Sequence, residues 1–317
     1  MSWPASRRRS PVSLPDGSDD RPVVVAGATG LLGRALCERL TAGGIPFRVL
    51  SRNPSRARSL VKGALSYHQW QPIERGGPWV SVVEGARAVV HLASPLVSRS
   101  SWPTEYKQVL YDICVVGTQG LVSAVAQSGA RPPAFISAST AGYYAPDVGS
   151  RPVDESAPPG AHFLGSLAAG WEAAAAHVAE FGVRHVALRS GLILARRGAL
   201  RRLRWAARLG LGGPPRPASA GQPWIHLEDE VGLLLLAIDD ERAQGPLNCV
   251  APHLVTSSEF MAGVRAQVRV AGGLAPPLRL VPGAVAATSG RTVIPARALA
   301  LGYDFRHPSL ERALRAR

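Results

Sequence analysis

The sequence predicts an α/β chain built on a doubly wound parallel sheet, and three observations lead to that prediction. A run of β-branched residues, Val23-Val24-Val25, ends in glycines and is followed by an apolar helical pattern. Further buried-type strands then alternate along the chain with helical stretches. The 317 residues, 46% of them hydrophobic, suffice for one large domain or a main domain with a small appendage. Strands that alternate with helices in this way form a parallel sheet covered on both faces.

The first strand, turn and helix carry the most specific motif. Gly27, Gly30 and Gly33 follow the strand at three-residue spacing, and apolar residues recur at helical spacing from Leu31 onward. A strand that turns sharply into a helix directs unpaired backbone N–H groups and the positive end of a helix dipole at one point. A pyrophosphate suits that point, and glycines allow it to approach the backbone closely. We therefore predict a dinucleotide site in a Rossmann-like βαβ unit.

The second strand, Phe47–Leu50, predicts which dinucleotide is bound. A site specific for NAD has an acidic residue at the end of this strand, where it binds the ribose 2′-hydroxyl. Here Ser51 and Arg52 follow the strand, with Arg56 and Arg58 just beyond. A guanidinium binds the 2′-phosphate of NADP with paired hydrogen bonds, so we predict NADP(H) rather than NAD. The alternative is a solvated arginine-rich loop, because arginine is abundant throughout the chain.

The rest of the chain continues the alternation and then loosens after about residue 195. The predicted elements are strands at Ala86–Ala93, Ala134–Ser139, Val183–Leu194 and Pro246–Val250, and helices at Thr104–Gln127, Leu164–Phe181, Glu228–Asp240 and Thr256–Val270. The last helix has Thr256 or Ser257 as its N-cap and Glu259 near the third position. We expect an NADP-binding domain at 22–195, with strand and helix additions from 225–250, and a mostly substrate-side C-terminal region at 196–317.

Composition limits the classes of partner. The net charge is +14, but all except two of the 36 basic residues are arginines, which are scattered without interleaved aromatic residues. This pattern does not favour nucleic-acid binding. Cys37, Cys114 and Cys249 lie in apolar contexts without metal-like spacing, so we predict buried thiols, a reducing compartment and no metal. No apolar run is long enough to span a bilayer.

Residues 1–21 form a segment of different composition. The first ten are basic, contain serine and lack acidic residues, whereas three aspartates follow. The segment lacks the apolar core of a secretory signal. Two interpretations remain open, a disordered tail and an organelle transit peptide, and both place the protein inside the cell, in the cytoplasm or in an organelle.

Motifs along residues 22 to about 314 resemble the short-chain dehydrogenase/reductase superfamily. Within it they are similar to the extended "epimerase family proteins", which have an NAD-dependent epimerase/dehydratase core. The matching stretches are Gly27–Gly33, Ser51–Pro54, His91–Ala93, Trp102, Ser139–Tyr144, Trp171-Glu172, Leu188–Gly191, Leu209–Pro214, Trp224–Asp229, Gly245–Asn248, Val293–Pro295 and Gly302–Phe305. The resemblance implies a Rossmann-like fold, an NADP(H) site and a small C-terminal domain of unknown role.

The resemblance also implies which residues line the cofactor. They are Gly27, Thr29, Gly30, Leu31, Leu32, Gly33, Ser51, Arg52, Leu92, Ala93 and Ser94. Two departures from the subgroup border this set: Ser94-Pro95 replaces a Gly-Glu pair, and Ile113-Cys114 replaces a Ser-Arg pair. Folds of this type usually dimerise through an apolar face, so a homodimer is one expected assembly.

The usual chemistry of the superfamily needs a tyrosine with a lysine four residues later, on one face of a helix. None of the six tyrosines has a lysine at that offset, and the matching positions hold Leu164 and Ala168. The superfamily's catalytic hydroxyl falls on Thr140, and Tyr143 or Tyr144 would supply a substitute phenol. These three are the predicted catalytic residues.

Four residues later in the chain are assigned further roles. Gln222 and Trp224, on the Gly/Pro loop, are the predicted substrate contacts. His226, which precedes a helix with Asp229 as its expected N-cap, is interpreted as a structural histidine. Arg189, at the end of a buried strand, is expected to pair with an acid or a carbonyl.

Two hypotheses of different classes follow. The first is an NADP(H)-dependent oxidoreductase or epimerase-like enzyme that acts on a small carbonyl or alcohol substrate. The second is a non-catalytic NADP(H)-binding protein that senses redox state, which the missing Tyr/Lys pair favours.

Overall fold

A seven-stranded parallel sheet forms the centre of the protein, as the sequence predicts. The computed structural model describes residues 19–74, 76–94, 103–146, 151–196, 198–208, 217–268 and 288–316. The sheet runs in the order β3-β2-β1-β4-β5-β6-β9, and β7 pairs with β8 in a separate two-stranded sheet. The strands are β1 Val23–Ala26, β2 Phe47–Ser51, β3 Ser66–Gln69, β4 Ala88–His91, β5 Ala134–Thr140, β6 Arg184–Ser190, β7 Leu192–Leu194, β8 Trp224–His226 and β9 Gly245–Cys249.

Helices cover both faces of this sheet and build the C-terminal region. They are α1 Leu31–Ala42, α2 Pro54–Leu60, α3 Thr104–Tyr111, α4 Gly117–Gln127, α5 Phe163–Ala176, α6 Ala199–Arg208, α7 Leu227–Asp239, α8 Ser257–Ala266, α9 Ala296–Ala300 and α10 Leu310–Arg315. The matched stretches Trp102 and Leu209–Pro214, and residues 1–18, lie outside the described residues.

The strand order reverses between β1 and β4, and this reversal positions the site. Chain order runs outward from β1 through β2 to β3 on one side, and from β4 through β5 to β6 on the other. Residues Val23 to Val25 are fully buried, as a strand with helices on both faces requires. In open sheets of this kind the ligand crevice lies outside the carboxyl ends of the strands at the reversal. The glycine motif that follows β1 lies at that crevice.

The predicted helix Thr104–Gln127 is continuous but irregular. Helices α3 and α4 are joined by a turn of π-helix at Asp112–Val116, which the periodicity did not predict. Among the described residues, it is the one helix that is long and apolar enough to cross a bilayer. More than half of that stretch is buried in the protein, where Leu121 and Val125 pack in the core. We interpret it as a core helix of the α/β domain.

The range Val183–Leu194 holds the predicted strand, β6, but it also holds a second strand that was not predicted, because the chain changes sheets at Gly191. β6 ends at Ser190 in the large sheet and β7 begins at Leu192 in the small one. A Cβ atom at Gly191 would lie 2.9 Å from the backbone nitrogen of Trp224. The close approach of the segment before β8 therefore excludes a side chain at the break.

The C-terminal region has its own apolar cluster. Leu200 and Leu203 of α6 pack with Phe260 of α8 and Leu314 of α10. The predicted start of α8 is confirmed: Thr256 is the N-cap, and its side chain and that of Glu259 form a capping box.

Candidate cofactor and catalytic site

The turn after β1 is too crowded for any residue but glycine at two of its positions. Gly27 has φ +88°, and a Cβ atom there would lie 2.5 Å from the backbone nitrogen of Ala93. A Cβ atom at Gly33 would lie 2.3 Å from the carbonyl oxygen of Gly27. The turn, the start of α1 and the segment after β4 are therefore in direct backbone contact.

The start of α1 is open to an anion. Its N-cap is Gly30, which has no side chain to cap the helix, and the first turn contains no acidic residue. The N–H groups of this first turn have no partner within the helix and carry the positive end of its dipole. Glycine at 30 also leaves the approach to them unobstructed, since this residue is exposed. The chain's own residues thus fit the pyrophosphate of a dinucleotide.

The end of β2 presents a guanidinium beside this turn. β1 pairs with β2 in parallel, Ala26 opposite Leu50, so the residues after both strands lie at one edge of the sheet. The Ser51 hydroxyl accepts the N–H of Asn53 at 3.2 Å, and Asn53 in turn caps α2. Arg52 lies between them with an exposed side chain. An arginine therefore occupies the place where an NAD-specific site carries an acid.

The structure brings the predicted cofactor residues together at the carboxyl ends of β1, β2 and β4. They are Gly27, Thr29, Gly30, Leu31, Leu32, Gly33, Ser51, Arg52, Leu92, Ala93 and Ser94. Ser94 is exposed, and its hydroxyl lies 3.8 Å from the thiol of Cys114 in the π turn. Pro95 lies outside the described residues.

The turn after β5 carries the three predicted catalytic residues. The Thr140 hydroxyl oxygen accepts the N–H of Gly142 at 3.0 Å and so caps the short 3₁₀ turn Ala141–Tyr143. Its hydroxyl hydrogen is not used in that bond and can be donated elsewhere. Because β5 lies beside β4, Thr140 is at the same edge of the sheet as the cofactor residues.

Tyr144 is built into the protein interior. Its side chain is 1% exposed, and its hydroxyl donates to Asn248 at 2.7 Å and accepts from Arg189 at 2.9 Å. Burial raises the pKa of Tyr144 to about 12, although the neighbouring Arg189 acts in the opposite direction. The structure therefore places this phenol in an internal network rather than at the crevice.

Tyr143 is half-buried and lies against a cation. The Arg189 guanidinium carbon is 3.5 Å from the centre of the Tyr143 ring, a cation–π contact. The two tyrosine rings meet edge to face with their centres 5.3 Å apart. The Tyr143 ring, in the turn that follows β5, thus has a positive charge at its face.

Arg189 is held in place by a buried acid, as expected from the sequence. Its Nε and Nη2 donate to the two carboxylate oxygens of Glu172 at 2.9 and 2.8 Å. The Ser139 hydroxyl donates to the same carboxylate at 2.6 Å. The Trp171-Glu172 segment therefore contributes packing and buried hydrogen bonds.

The positions that match the superfamily's Tyr/Lys pair are apolar and buried. Leu164 and Ala168 on α5 are 3% and 1% exposed. Leu164 packs with Leu110, Cys114 and Trp171 in a cluster between α5 and the α3–α4 helix. The relay is thus replaced by core packing.

Two residues near the tyrosine turn were not predicted from the sequence. Arg291 Nε donates to the carbonyl oxygen of Tyr144 at 2.6 Å, and its Nη2 lies 2.9 Å from Nε2 of His162, the N-cap of α5. Burial lowers the pKa of Arg291 to about 10. Because His162 and Arg291 are 129 positions apart, no spacing in the sequence links them.

The predicted substrate contacts are both buried. Gln222 and Trp224 are 2% and 1% exposed, and Gln222 Nε2 donates to the Thr288 hydroxyl at 2.9 Å. Together with Arg291 they line a small cavity. Arg291 thus lines the same cavity as Gln222 and Trp224 and also donates a hydrogen bond to the carbonyl oxygen of Tyr144.

Comparison with known proteins gives two family matches. Residues 23–249 match the model of the NAD dependent epimerase/dehydratase family, and residues 274–316 match a domain of unknown function, DUF1731. The chain is 32% identical over 300 residues to epimerase family protein ML0860 of Mycobacterium leprae, covering 92% of this chain and 94% of that one. It is 30% identical over 324 residues to the chloroplastic SDR39U1 homolog of Arabidopsis thaliana, covering 100% and 92%.

A solved structure agrees with these matches. The crystal structure of human epimerase family protein SDR39U1 (isoform 2) with NADPH superimposes with a TM-score of 0.79. The two sequences are 31% identical, and the alignment covers 92% of this chain and 97% of the human one.

Proposed function

Because this chain belongs to the NAD-dependent epimerase/dehydratase family, we propose that it is an NADP(H)-dependent oxidoreductase or epimerase-like enzyme. Its substrate class would be a small carbonyl or alcohol. The observation that carries the proposal is the glycine turn, whose backbone packs on Ala93, with Arg52 beside it. The NADPH in the human relative's crystal structure supports the choice of dinucleotide.

The residues of the turn after β1 would hold the cofactor's phosphates. The N–H groups at the start of α1 would bind the pyrophosphate, and Arg52 would bind the 2′-phosphate. Leu92, Ala93 and Ser94 would line the side of the crevice next to β4. When bound, the nicotinamide supplies or accepts the hydride, so the protein needs only to orient the substrate and move one proton.

We assign the role of proton donor to Tyr143. Tyr143 is half-buried in the turn that follows β5, at the carboxyl end of the strand beside β4, and the Arg189 guanidinium lies against its ring face. Arg189 would thus take the place of the lysine in the superfamily's Tyr/Lys pair, which this chain lacks. Thr140 would donate its hydroxyl hydrogen to the substrate oxygen. Tyr144 becomes a positioning residue, because its hydroxyl fixes Arg189 and Asn248.

The test combines binding with turnover. Fluorescence titration with NADPH and NADH measures cofactor binding, and a panel of small carbonyls measures enzyme-dependent NADPH oxidation. Tyr143→Phe should lower turnover by roughly 100-fold or more, the usual contribution of a general acid, while NADPH affinity stays unchanged. Tyr111→Phe, an exposed tyrosine on α3, is the matched control. Full turnover in Tyr143→Phe would refute the assignment.

A second candidate function is favoured by Leu164 and Ala168. Because core packing replaces the usual proton relay, the protein would be a non-catalytic NADP(H)-binding sensor of redox state. It would then bind NADPH tightly, oxidise none of it on the carbonyl panel, and contact a partner in a manner that depends on the cofactor's redox state. Reproducible NADPH oxidation on any substrate would exclude this function.

We further propose an intracellular location. Cys37, Cys114 and Cys249 are all free and buried, which suits a reducing compartment. Because one relative is named as chloroplastic, an organelle is a specific location to test. The test compares by imaging the location of the full chain with that of a chain that starts at residue 22.

A further inference from the structure

We propose that His226, Glu228 and His307 form a binding site for a divalent transition-metal ion, with Zn²⁺ as the best match. One ligand atom from each residue lies within 4.8 Å of the others. Two imidazoles and one carboxylate are a donor set that zinc prefers, with a water molecule completing four-fold coordination. None of these three residues is among the cofactor and tyrosine residues discussed above, and the sequence predicts no metal.

The distance between two of the donors is close to the one that a shared ion requires. His307 Nε2 lies 3.2 Å from Glu228 Oε2. Ligands bound about 2.0–2.2 Å from a tetrahedral ion lie roughly 3.3–3.5 Å from each other, so an ion can replace this contact with little movement. The His226 and His307 ring centres are 3.8 Å apart with an angle of 47° between the rings, so the rings must rotate apart to bind one ion.

One buried carboxylate fixes the backbone of the donors. Asp229 is fully buried, and its two oxygens accept the N–H groups of Arg306 at 2.7 Å and His307 at 2.9 Å. Because Asp229 follows Glu228 directly, the segment before α10 is held against the first turn of α7. Only side-chain rotation is then needed to complete the site, and such supporting bonds strengthen metal binding.

The N-cap of α7 is His226 and not Asp229, which corrects the expectation from the sequence. His226 Nδ1 accepts the N–H of Glu228 at a long 3.3 Å. A neutral imidazole that binds a metal through one nitrogen carries its proton on the other, so metal binding removes this cap. The lost bond is long, and the ion must replace it together with the His307–Glu228 contact.

The electrostatic surroundings permit an ion to enter. The Glu228 side chain is 50% exposed, which provides a path from solvent and room for a bound water. The neighbouring cation is Arg306, whose Nη1 lies 3.9 Å from Glu228 Oε2. Its side chain is 42% exposed and can turn toward solvent when a metal neutralises the carboxylate. A bound ion would tie the C-terminal segment to α7 and β8.

The experiment uses the full chain without a histidine tag, stripped of metal. Titration calorimetry with ZnCl₂ measures affinity and stoichiometry, and the visible spectrum with CoCl₂ reports the donor set. The variants are His307→Ala and Glu228→Gln. The control is His177→Ala, which removes an exposed His–Glu pair of similar geometry, with Nδ1 of His177 3.0 Å from Glu180.

We expect one Zn²⁺ per chain with a micromolar Kd and a higher Tm in its presence. Both variants should bind Zn²⁺ more than about 10-fold more weakly and lose the Tm increase, whereas the control should match the parent chain. The metal-free Tm of each variant confirms that it is folded. The proposal is overturned if the parent chain does not bind Zn²⁺, if both variants bind it normally, or if only His177→Ala loses binding.

Discussion

Arg189 and Glu172 form a two-point buried ion pair next to the turn that carries the tyrosines. The pair joins β6 to α5, with both nitrogen–oxygen distances below 3.0 Å. The same guanidinium bonds to Tyr144 and stacks on Tyr143. The position of the proposed proton donor therefore depends on a charge pair in the core of the domain.

Breaking this pair should destabilise the protein. Arg189→Met leaves Glu172 buried without its counter-charge, which costs about 3–5 kcal/mol in comparable pairs. Urea denaturation followed by circular dichroism measures the change in the free energy of unfolding. Arg315→Met breaks the exposed pair with Glu311, 71% and 72% exposed, and should cost less than about 0.5 kcal/mol. Equal effects of the two variants would contradict the argument.

Gly27 should tolerate no side chain. Gly27→Ala combines the left-handed backbone conformation with a clash against Ala93, and should cost roughly 2–5 kcal/mol of unfolding free energy. Gly44→Ala is the matched control, because Gly44 has φ +67° but no neighbouring atom within 4 Å of the added Cβ. The control should show only the conformational cost of about 1–2 kcal/mol. If both variants lose the same amount in thermal denaturation, the crowding at Gly27 has no energetic consequence.

Arg52 should determine the preference for NADPH. Arg52→Asp replaces a donor to the 2′-phosphate with a repelling charge, and should weaken NADPH binding by about 10- to 100-fold, the value of a charged hydrogen bond. NADH binding should weaken much less or improve. Parallel fluorescence titrations measure both constants. The control is Arg56→Asp, on α2, which makes the same charge change. It should alter the ratio of NADPH affinity to NADH affinity by less than about threefold. A larger change in this control would mean that the overall charge of the loop determines the preference.

The sheet and the glycine turn were predictable because their causes are local. A β-branched run followed by glycines at fixed spacing determines β1, the turn and the start of α1 without help from distant residues. The capping box at Thr256 is local in the same sense. The predictions failed where a distant segment decides the outcome. The chain changes sheets at Gly191 because the segment before β8 approaches it, and periodicity within one strand contains no trace of that approach.

The candidate site was predictable in part for the same reason. The cofactor residues follow strands, so the strand pattern places them at one edge of the sheet. The difference between Tyr143 and Tyr144 depends on Arg189, which is 45 positions from Tyr144. The contact between Glu228 and His307 spans 79 positions. Contacts of this range appear only when the chain is folded.

Glu230 should make stability decrease as the pH rises. The side chain is fully buried, and one oxygen accepts a hydrogen bond from Ser190, whereas the other has no partner among the described residues. Burial raises the pKa of Glu230 from 4.5 to about 8. Between these values the folded chain holds a proton that the unfolded chain releases, so the stability contributed by this group is present below pH 4.5 and is lost as the pH approaches 8.

Glu230→Gln cannot ionise and keeps the acceptor for Ser190, so its unfolding free energy relative to the parent chain should rise by a few kcal/mol from pH 5 to 8. Urea denaturation at each pH measures this difference, and Glu38→Gln on the exposed side of α1 controls for the change in net charge; a difference that stays constant with pH would show that Glu230 is already ionised in the folded protein.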